Sequence, residues 1–424
     1  MIALPEMHRI GATLMHVRTT VLFTLAGASC MFGKPIGDLP GTSDSGAEGE
    51  SGTTAGDGNS SQTAEDDGTS ETTFDPSEGT TGEVVELCEH EPSGLEPGSV
   101  VWEHAFEGFM GHEVAVVNDR PWIIGNSTDT GEADDHTRFA RIDADGVGFS
   151  SWTWAAPGNV LTNPRLIAAI DDRVFVGINL PGAEHCPWCS ERMIIAYDDN
   201  NFVPTDPAWE LSLGEGAWGM SATPSGTLVV VGSTSDDGVE FEVEITEIDV
   251  DGNIIASTPN VLSEEPGPYV VTRVAVGPLG DIIASGGLAD QPDGGWTARW
   301  TGSHEFNWLL GGSTALGGAL ARAPNGDYLH AFVNPPMVLE RSLAEAGIVW
   351  QVEIESEPSD IAVDCDDSIV LAGAGLERRD GDGTVQWTHS LGPAIVAVAI
   401  ADNGDILALS THGEASLLER YAGL

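Results

Sequence analysis

Val398–Ser410 reads VAIADNGDILALS. An apolar run leads into an Asp-Asn-Gly turn, and a second apolar run leads out of it to a small residue. Asn and Gly tolerate the positive φ of tight turns, so this stretch predicts a β-hairpin. Six other stretches follow the same pattern: Val114–Gly125 (VAVVNDRPWIIG), Ile167–Gly177 (IAAIDDRVFVG), Ser221–Gly232 (SATPSGTLVVVG), Val274–Gly286 (VAVGPLGDIIASG), Leu320–Phe332 (LARAPNGDYLHAF) and Ile361–Gly373 (IAVDCDDSIVLAG).

The spacing of these copies indicates a β-propeller. They end at residues 125, 177, 232, 286, 332, 373 and 410, and strand repeats of about 40–50 residues are typical of propeller blades. A second hairpin follows each of the first six, at Arg138–Trp154, Met193–Leu211, Val243–Ala256, Thr297–Leu309, Val338–Trp350 and Leu376–Trp387. Two hairpins supply the four strands of one blade. We expect the recurrent tryptophans to pack between adjacent blades: Trp102, Trp154, Trp209, Trp308, Trp350 and Trp387.

The seventh copy is incomplete. Ser416–Tyr421 (SLLERY) matches the first strand of a second hairpin, and Ser99–Phe106 (SVVWEHAF) matches the missing fourth strand. Pairing the two segments leaves no open sheet edge, which all-β proteins must avoid. The sequence therefore predicts an all-β, seven-bladed β-propeller closed by its N- and C-terminal strands.

The repeated "apolar run, Asp-Gly turn, apolar run, Gly" resembles bacterial β-propeller repeat lipoproteins of the quinoprotein-like and SBBP-like kinds. The resemblance covers about residues 97–424 and implies the propeller fold. Quinoprotein enzymes carry a Trp-docking consensus and a cofactor pocket. That consensus does not accompany the tryptophans of this chain, so the resemblance implies no cofactor and no catalytic residue.

The charge balance limits the possible partners. The chain has 67 acidic residues against 16 basic ones and a net charge of −51. Such a charge repels the phosphate backbone, so the sequence predicts no nucleic-acid partner. It favours cationic partners or calcium-rich surroundings.

The N-terminal region predicts export and a lipid anchor. Residues 1–30 contain a positive segment, a short apolar segment and small residues before Cys30, which resembles a bacterial lipobox except for Gly27 where Leu is usual. Residues 31–92 are rich in Gly, Ser, Thr and acidic residues, and we expect an extended, disordered tether. The propeller then spans 93–424. This organisation predicts a monomer attached by its lipid to the bacterial outer membrane, facing the periplasm or the surface.

Four cysteines remain if Cys30 carries the lipid. Three pairings are possible, and the simplest joins Cys186 with Cys189 and Cys88 with Cys365. His185 precedes the C-x-x-C pair, which leaves a redox pair or half of a metal site as alternatives to a structural disulfide.

Loops between the second and third strands are longer in the first four blades: Asn126–Thr137, Ile178–Arg192, Ser233–Gly238 and Gly287–Gly295. Because function on rigid scaffolds concentrates in such loops, we expect the binding face there. His185, Trp188 and Trp296 are the candidate contact residues.

Evidence for metal binding or catalysis is weak. Asp129, Glu132, Asp134 and Asp135 supply oxygen ligands of the kind Ca²⁺ prefers, but the EF-hand spacing is absent. No nucleophile elbow, Walker A loop or Ser/His/Asp order is identifiable. No catalytic residue and no cofactor is therefore predicted.

These observations favour a membrane-tethered binding or scaffolding module for a protein or glycan. Two alternatives stay open: an enzyme, such as a lyase or a hydrolase helped by Ca²⁺, with its site at the channel mouth, or a subunit of an outer-membrane assembly. The enzyme hypothesis predicts carboxylates and His converging on the axis, whereas the binding hypothesis predicts an exposed aromatic patch among the long loops.

Overall fold

The computed structural model describes His90 and residues 94–128, 136–156, 162–180, 191–200, 206–234, 242–259, 262, 269–288, 291–312, 318–332, 336–343, 347–390 and 392–423. Every regular element in these ranges is a β-strand. The first fourteen are β1 (Val100–Glu107), β2 (Phe109–Val117), β3 (Arg120–Ser127), β4 (Thr137–Ile142), β5 (Phe149–Trp154), β6 (Asn163–Ile170), β7 (Arg173–Leu180), β8 (Glu191–Asp198), β9 (Trp209–Glu215), β10 (Ala217–Ala222), β11 (Leu228–Thr234), β12 (Glu242–Ile248), β13 (Ile254–Thr258) and β14 (Tyr269–Val276). The others are β15 (Ile282–Leu288), β16 (Gln291–Trp300), β17 (Phe306–Gly312), β18 (Leu320–Arg322), β19 (Tyr328–Phe332), β20 (Val338–Ser342), β21 (Ile348–Glu353), β22 (Asp360–Val363), β23 (Ile369–Ala372), β24 (Leu376–Arg379), β25 (Val385–His389), β26 (Ile395–Ile400), β27 (Ile406–His412) and β28 (Ala415–Tyr421).

The strands form seven four-stranded antiparallel sheets, which confirms the seven-bladed β-propeller. Blades 1 to 6 consist of β2–β5, β6–β9, β10–β13, β14–β17, β18–β21 and β22–β25, and blade 7 consists of β26, β27, β28 and β1. The first strands of neighbouring blades contact each other around the whole ring. They therefore line the central channel, and the fourth strands form the rim.

The predicted closure is confirmed. β1 pairs with β28, with Val100 opposite Tyr421 and Phe106 opposite Ser416. The Ser416 hydroxyl also accepts a hydrogen bond from the Gly111 N–H and donates to the Phe109 carbonyl. Blade 7 is thereby tied to blade 1, and β28 has the fourth-strand partner that the chain's C-terminal end does not supply.

The core is divided among the junctions between blades. Each of the seven apolar clusters straddles a different pair of neighbouring blades. The second strands are buried on both sides, as Ile123, Phe175 and Ile283 illustrate. Because these strands are continuous apolar runs, they bury side chains against the blades on both sides. The hairpins that the sequence predicts therefore stack face to face as a ring of sheets.

Tryptophans on fourth strands pack against the next blade, as predicted. A Cβ added at Gly146 would lie 2.6 Å from the Trp102 ring, so the ring lies flat on the neighbouring turn, which only Gly permits. The indole N–H groups donate to backbone carbonyls of that turn, from Trp102 to Ala144, from Trp209 to Val250 and from Trp350 to Gly381. Each such ring therefore fixes one blade against the next.

Arginines tie the blades together on one face, which we call the turn face. This face carries the hairpin turns of each blade, such as Ala323–Asp327 and Asp380–Thr384. Arg341 of blade 5 lies 2.9 Å from Asp327 of its own blade and 2.7 Å from Asp367 of blade 6. Arg420 of blade 7 binds Asp405 and lies 3.6 Å from Asp119 of blade 1 in the same manner. These arginines are therefore engaged in ion pairs within and between blades.

The predicted export signal, lipid site and tether lie outside the described residues, as does Cys88, so these features and the Cys88–Cys365 pairing stay predictions. Within the described ranges, no helix has the length and apolar character to cross a membrane.

Candidate functional site in the central channel

One level of the inner ring contains charged side chains. Each blade contributes one first-strand residue to this level. That residue is the one paired with the second-strand residue that stands immediately before the last residue of the repeat copy. From blade 1 to blade 7, the level consists of Glu113, Ile167, Gly219, Arg273, Ala319, Asp360 and Ala397. Four blades are complete with a small or apolar residue here, so the fold itself does not require the charged residues in the other three.

The three charged residues meet across the channel. Glu113, Arg273 and Asp360 belong to blades 1, 4 and 6, which are not neighbours. Nevertheless, the charges of Asp360 and Arg273 both act on the Glu113 carboxyl. Each of the three side chains is half-buried, with a minor part of its surface exposed. The cluster therefore lies on the axis of the ring; we call it the channel cluster.

Asp360 is the carboxyl of the channel cluster that backbone N–H groups hold in place. Its Oδ2 accepts the Val398 N–H at 2.9 Å and its Oδ1 accepts the Ile361 N–H at 3.0 Å. Burial raises the pKa of Asp360, but Arg273 and these two donors oppose the rise. Arg273 in turn donates from Nη2 to the Ser359 carbonyl at 3.2 Å, and its buried Nε has no hydrogen-bond partner among the described residues.

Glu113 is the protonated carboxyl. Burial is the main cause that raises its pKa to about 8, and the negative charge of Asp360 adds to the rise, while Arg273 opposes it. At neutral pH the side chain is mostly an uncharged acid. A strongly perturbed carboxyl beside a specific charged partner is the physical mark of a functional group.

The charge balance of the channel cluster defines what it can bind. With Glu113 protonated, an ionised Asp360 balances the charge of Arg273. If one cationic group enters and Glu113 releases its proton, the balance is restored. The channel cluster can therefore exchange a proton for an ammonium or guanidinium group.

A second level of side chains lies one or two residues nearer the face opposite the turn face, which we call the loop face. β-Bulges leave one residue unpaired in four of the first strands. These residues are His112, Arg165, Thr272 and Val396. His112 Nε2 lies 2.8 Å from Asn126 Oδ1, and Arg165 is exposed. The approach to the channel cluster from the loop face is therefore polar.

Most of the candidate site residues predicted from the sequence lie outside the described ranges. This applies to His185, Trp188, Cys186 and Cys189 in one loop, and to the proposed Ca²⁺ ligands Asp129, Glu132, Asp134 and Asp135. Those assignments stay predictions.

The prediction that Trp296 lies on the binding face and contacts a ligand is wrong. Trp296 is only 2% exposed and lies within β16, where its ring packs edge-on against Tyr269 and its N–H donates to the Gly287 carbonyl. The predicted loop Gly287–Gly295 is shorter than expected because β15 runs to Leu288 and β16 starts at Gln291. The indole is thereby drawn into the core between blades 3 and 4.

One group of side chains has the composition of a metal site. His90, Asp364 and Cys365 present atoms within 4.8 Å of one another on the turn face. His90 Nε2 is already engaged by Asp364 at 3.0 Å and Nδ1 by the Asp402 carbonyl at 3.2 Å. Both ring nitrogens thus contact protein oxygen atoms that a metal ion would have to displace.

The sequence did carry a signal for the channel cluster. Glu113 and Asp360 each directly precede a repeat copy, and Arg273 does the same. A charged residue next to a buried apolar run is unexpected. Because it stands immediately before the copy in all three cases, the three residues are expected at one level of the ring. The signal becomes visible only when the copies are aligned at their turns.

Comparisons with known proteins agree with the fold. The chain is similar to the crystal structure of the WD40 beta propeller domain of Doa1, with 14% identity and a TM-score of 0.51 over 78% of this chain and 97% of that one. It is also similar to the structure of YCF48 bound to D1 peptide, with 13% identity and a TM-score of 0.51 over 80% of this chain and 99% of that one. No family model matches the chain, and no curated protein matches its sequence. At this identity the likeness shows the β-propeller fold alone.

Proposed function

We propose that the chain is a membrane-tethered, extracytoplasmic binding module that receives a cationic segment of a protein partner at its central channel. The observation that carries the proposal is the channel cluster of Glu113, Arg273 and Asp360. Three charged groups in a channel are costly to bury, and the other four blades do without them. Their balance accommodates one added cation in exchange for one proton.

Three further considerations support this proposal. The net charge of −51 draws cationic segments towards the molecule. The described arginines that pair with carboxylates in the ring are not available to repel such a segment. YCF48, which is similar in fold, is bound to a peptide. The sequence pattern around Cys30 supports attachment by a lipid, in the manner of the repeat lipoproteins that the chain resembles.

The test measures proton release on binding. The full chain is titrated calorimetrically with a lysine octapeptide at pH 7 in two buffers of different ionisation enthalpy. We expect release of about one proton per peptide, because the bound ammonium group lowers the pKa of Glu113. Affinity should rise as the pH approaches 8.

Two variants distinguish the contribution of the channel cluster to binding from that of the overall negative charge. Glu113→Gln keeps the shape but removes the titratable proton, so proton release should vanish and affinity should fall. Glu353→Gln removes an exposed carboxyl at the end of β21 and should leave proton release unchanged. Equal proton release in Glu113→Gln and the unmodified chain would contradict the proposal. For the anchor, mass spectrometry of the mature N-terminus showing an unmodified Cys30 would exclude lipidation.

The same geometry favours one second function, an enzyme at the channel mouth. A protonated carboxyl beside an ionised one is the arrangement that general acid–base catalysis of glycoside or ester hydrolysis uses. A panel of chromogenic glycosides and esters tests this candidate. Turnover that is lost in Glu113→Gln and kept in Glu353→Gln supports the enzyme, whereas turnover insensitive to Glu113→Gln excludes the channel cluster as its site.

A further inference from the structure

The junction between blades 3 and 4 lacks both members of a pair that the turn face of blades 4 to 7 carries. Blades 1 and 2 each keep one member, Arg141 opposite Ser150 and Trp209 opposite Ala196. In blades 4 to 7, an arginine on the third strand pairs in register with a tryptophan on the fourth: Arg299 with Trp308, Arg341 with Trp350, Arg378 with Trp387, and Arg420 with Trp102. In blade 3 the same register holds Glu247 and Ala256. A carboxylate thus replaces the guanidinium, and a methyl group replaces the large ring.

The adjoining turn of blade 4 departs from the pattern as well. The corresponding turns of three blades have glycine at the left-handed position, Gly146, Gly252 and Gly383, with φ of 75°, 86° and 82°. Blade 4 has His304 there with φ of 62°. A non-glycine residue is uncommon in this conformation, so blade 4 differs from the glycine turns of the other blades.

His304 is held against the carboxylate of blade 3. Its Nδ1 lies 3.0 Å from the Thr258 hydroxyl and its Nε2 lies 3.8 Å from Glu247 Oε2. Thr227 donates its hydroxyl to Glu247 Oε1 at 2.5 Å. Burial lowers the pKa of His304, so the ring is neutral at pH 7 and does not cancel the Glu247 charge.

A cleft of about 450 Å³ lies between the two blades at this junction, with Glu247 and His304 in its lining. Pro224 of blade 3 and Pro278 of blade 4 form apolar walls, and Leu279 stands at the rim with 89% of its surface exposed. Glu247 and His304 also line the cleft and are more buried than these rim residues. An entrant therefore passes between apolar walls before it reaches a carboxylate.

The neighbouring junctions show what fits such a space. Between blades 5 and 6, the Arg341 guanidinium reaches Asp327 and Asp367 from the third strand and occupies the corresponding position between two turns. An arginine that enters the blade 3–4 cleft from outside would lay its methylene groups along Pro224 and Pro278 and bring its guanidinium to Glu247.

We propose that the cleft between blades 3 and 4 is a binding site for an arginine side chain presented by a protein partner. The site lies on the turn face, whereas the channel cluster is reached from the loop face, so a segment bound at one does not block the other. The proposal does not depend on the function assigned to the channel cluster.

The test follows the cleft itself by NMR. The full chain, labelled with ¹³C at leucine methyl groups, is titrated with N-acetyl-arginine methylamide at pH 7, and the Leu279 signal is monitored. We expect a saturable shift. The citrulline analogue, which has the same shape without the charge, should bind at least about tenfold more weakly, since charge-assisted hydrogen bonds are about twice as strong as neutral ones. The lysine analogue should also bind more weakly, because it lacks the planar fork.

Three variants decide the outcome. Glu247→Gln should lose the Leu279 response, and the matched control Glu305→Gln, an exposed carboxyl beside His304, should keep it. The double variant Ala256→Trp/His304→Gly introduces the fourth-strand tryptophan and the turn glycine that other junctions have. It should close the cleft with the Glu247 charge intact. If that variant does not fold, Glu247→Gln still decides.

A Leu279 response equal for arginine and citrulline, or one that survives Glu247→Gln, overturns the proposal. Glu113→Gln should leave the Leu279 response unchanged. Loss of proton release at the channel with an intact Leu279 response, or the reverse, therefore shows which of the two proposals has failed.

Discussion

Replacement of Glu113 by Gln should stabilise the propeller at alkaline pH and have a smaller effect in acid. The folded state holds the Glu113 proton up to about pH 8, whereas a free glutamate loses it near 4.5. Because the folded pKa is raised, the stabilising contribution is complete below pH 4.5 and is lost as the pH rises to 8. Gln has no proton to lose and avoids this loss.

The magnitude follows from the difference between the two pKa values. At about 1.4 kcal/mol for each tenfold change in proton affinity, an uncharged isostere at pH 8.5 gains at most about 5 kcal/mol. The channel side of Glu113 is open to water, and an effective dielectric constant near 20 reduces the expected gain to about 2–3 kcal/mol.

Urea unfolding followed by tryptophan fluorescence measures this gain. We expect the difference in midpoint between Glu113→Gln and the unmodified chain to grow from pH 5 to pH 8.5, with the slope of the transition unchanged. Glu353→Gln is the matched control and should follow the unmodified chain at every pH. Parallel profiles for Glu113→Gln and the unmodified chain would refute the placement of a protonated carboxyl on the axis.

Other contacts lead to further predictions. Arg341→Ala leaves Asp327 buried without its partner and should lower the free energy of unfolding by about 3 kcal/mol in urea titrations, while Arg341→Lys should recover less than half of the loss. Removal of residues 1–107 exposes the β28 edge and should produce oligomers in light scattering, and a synthetic peptide of residues 98–107 should restore the monomer. Burial lowers the pKa of His330 to about 4, so stability should fall as the pH drops from 6.5 towards 4, and His330→Met should shift acid unfolding, followed by fluorescence, to lower pH.

The fold was accessible to sequence reasoning because its signals are local. Each hairpin has an alternating or apolar pattern around a turn with Asp, Asn or Gly, and the half-blade at Ser416–Tyr421 matches its partner at Ser99–Phe106. These features need only neighbouring residues and the rule that sheet edges must be paired.

The candidate sites were less accessible because they depend on the position of each residue around the ring. Glu113 and Asp360 are distant in sequence and meet only because their blades face the same axis. Glu247 is conspicuous only when its blade is aligned with the five that have arginine at this position, Arg141 of blade 1 included. Trp296 was misplaced because the adjoining strands extend further than the turn residues indicated.

The closure between β1 and β28 has a consequence for biosynthesis. The first strand of the ring to leave the ribosome is the last to find its partner, since about 300 residues separate Glu107 from Ala415. At translation rates of about 5–20 residues per second, β1 waits roughly 15–60 s. Glu103, His104 and Glu107 interrupt its apolar residues, and charges on a waiting edge discourage pairing with another nascent chain. The composition of this strand thus suits the interval before the ring can close.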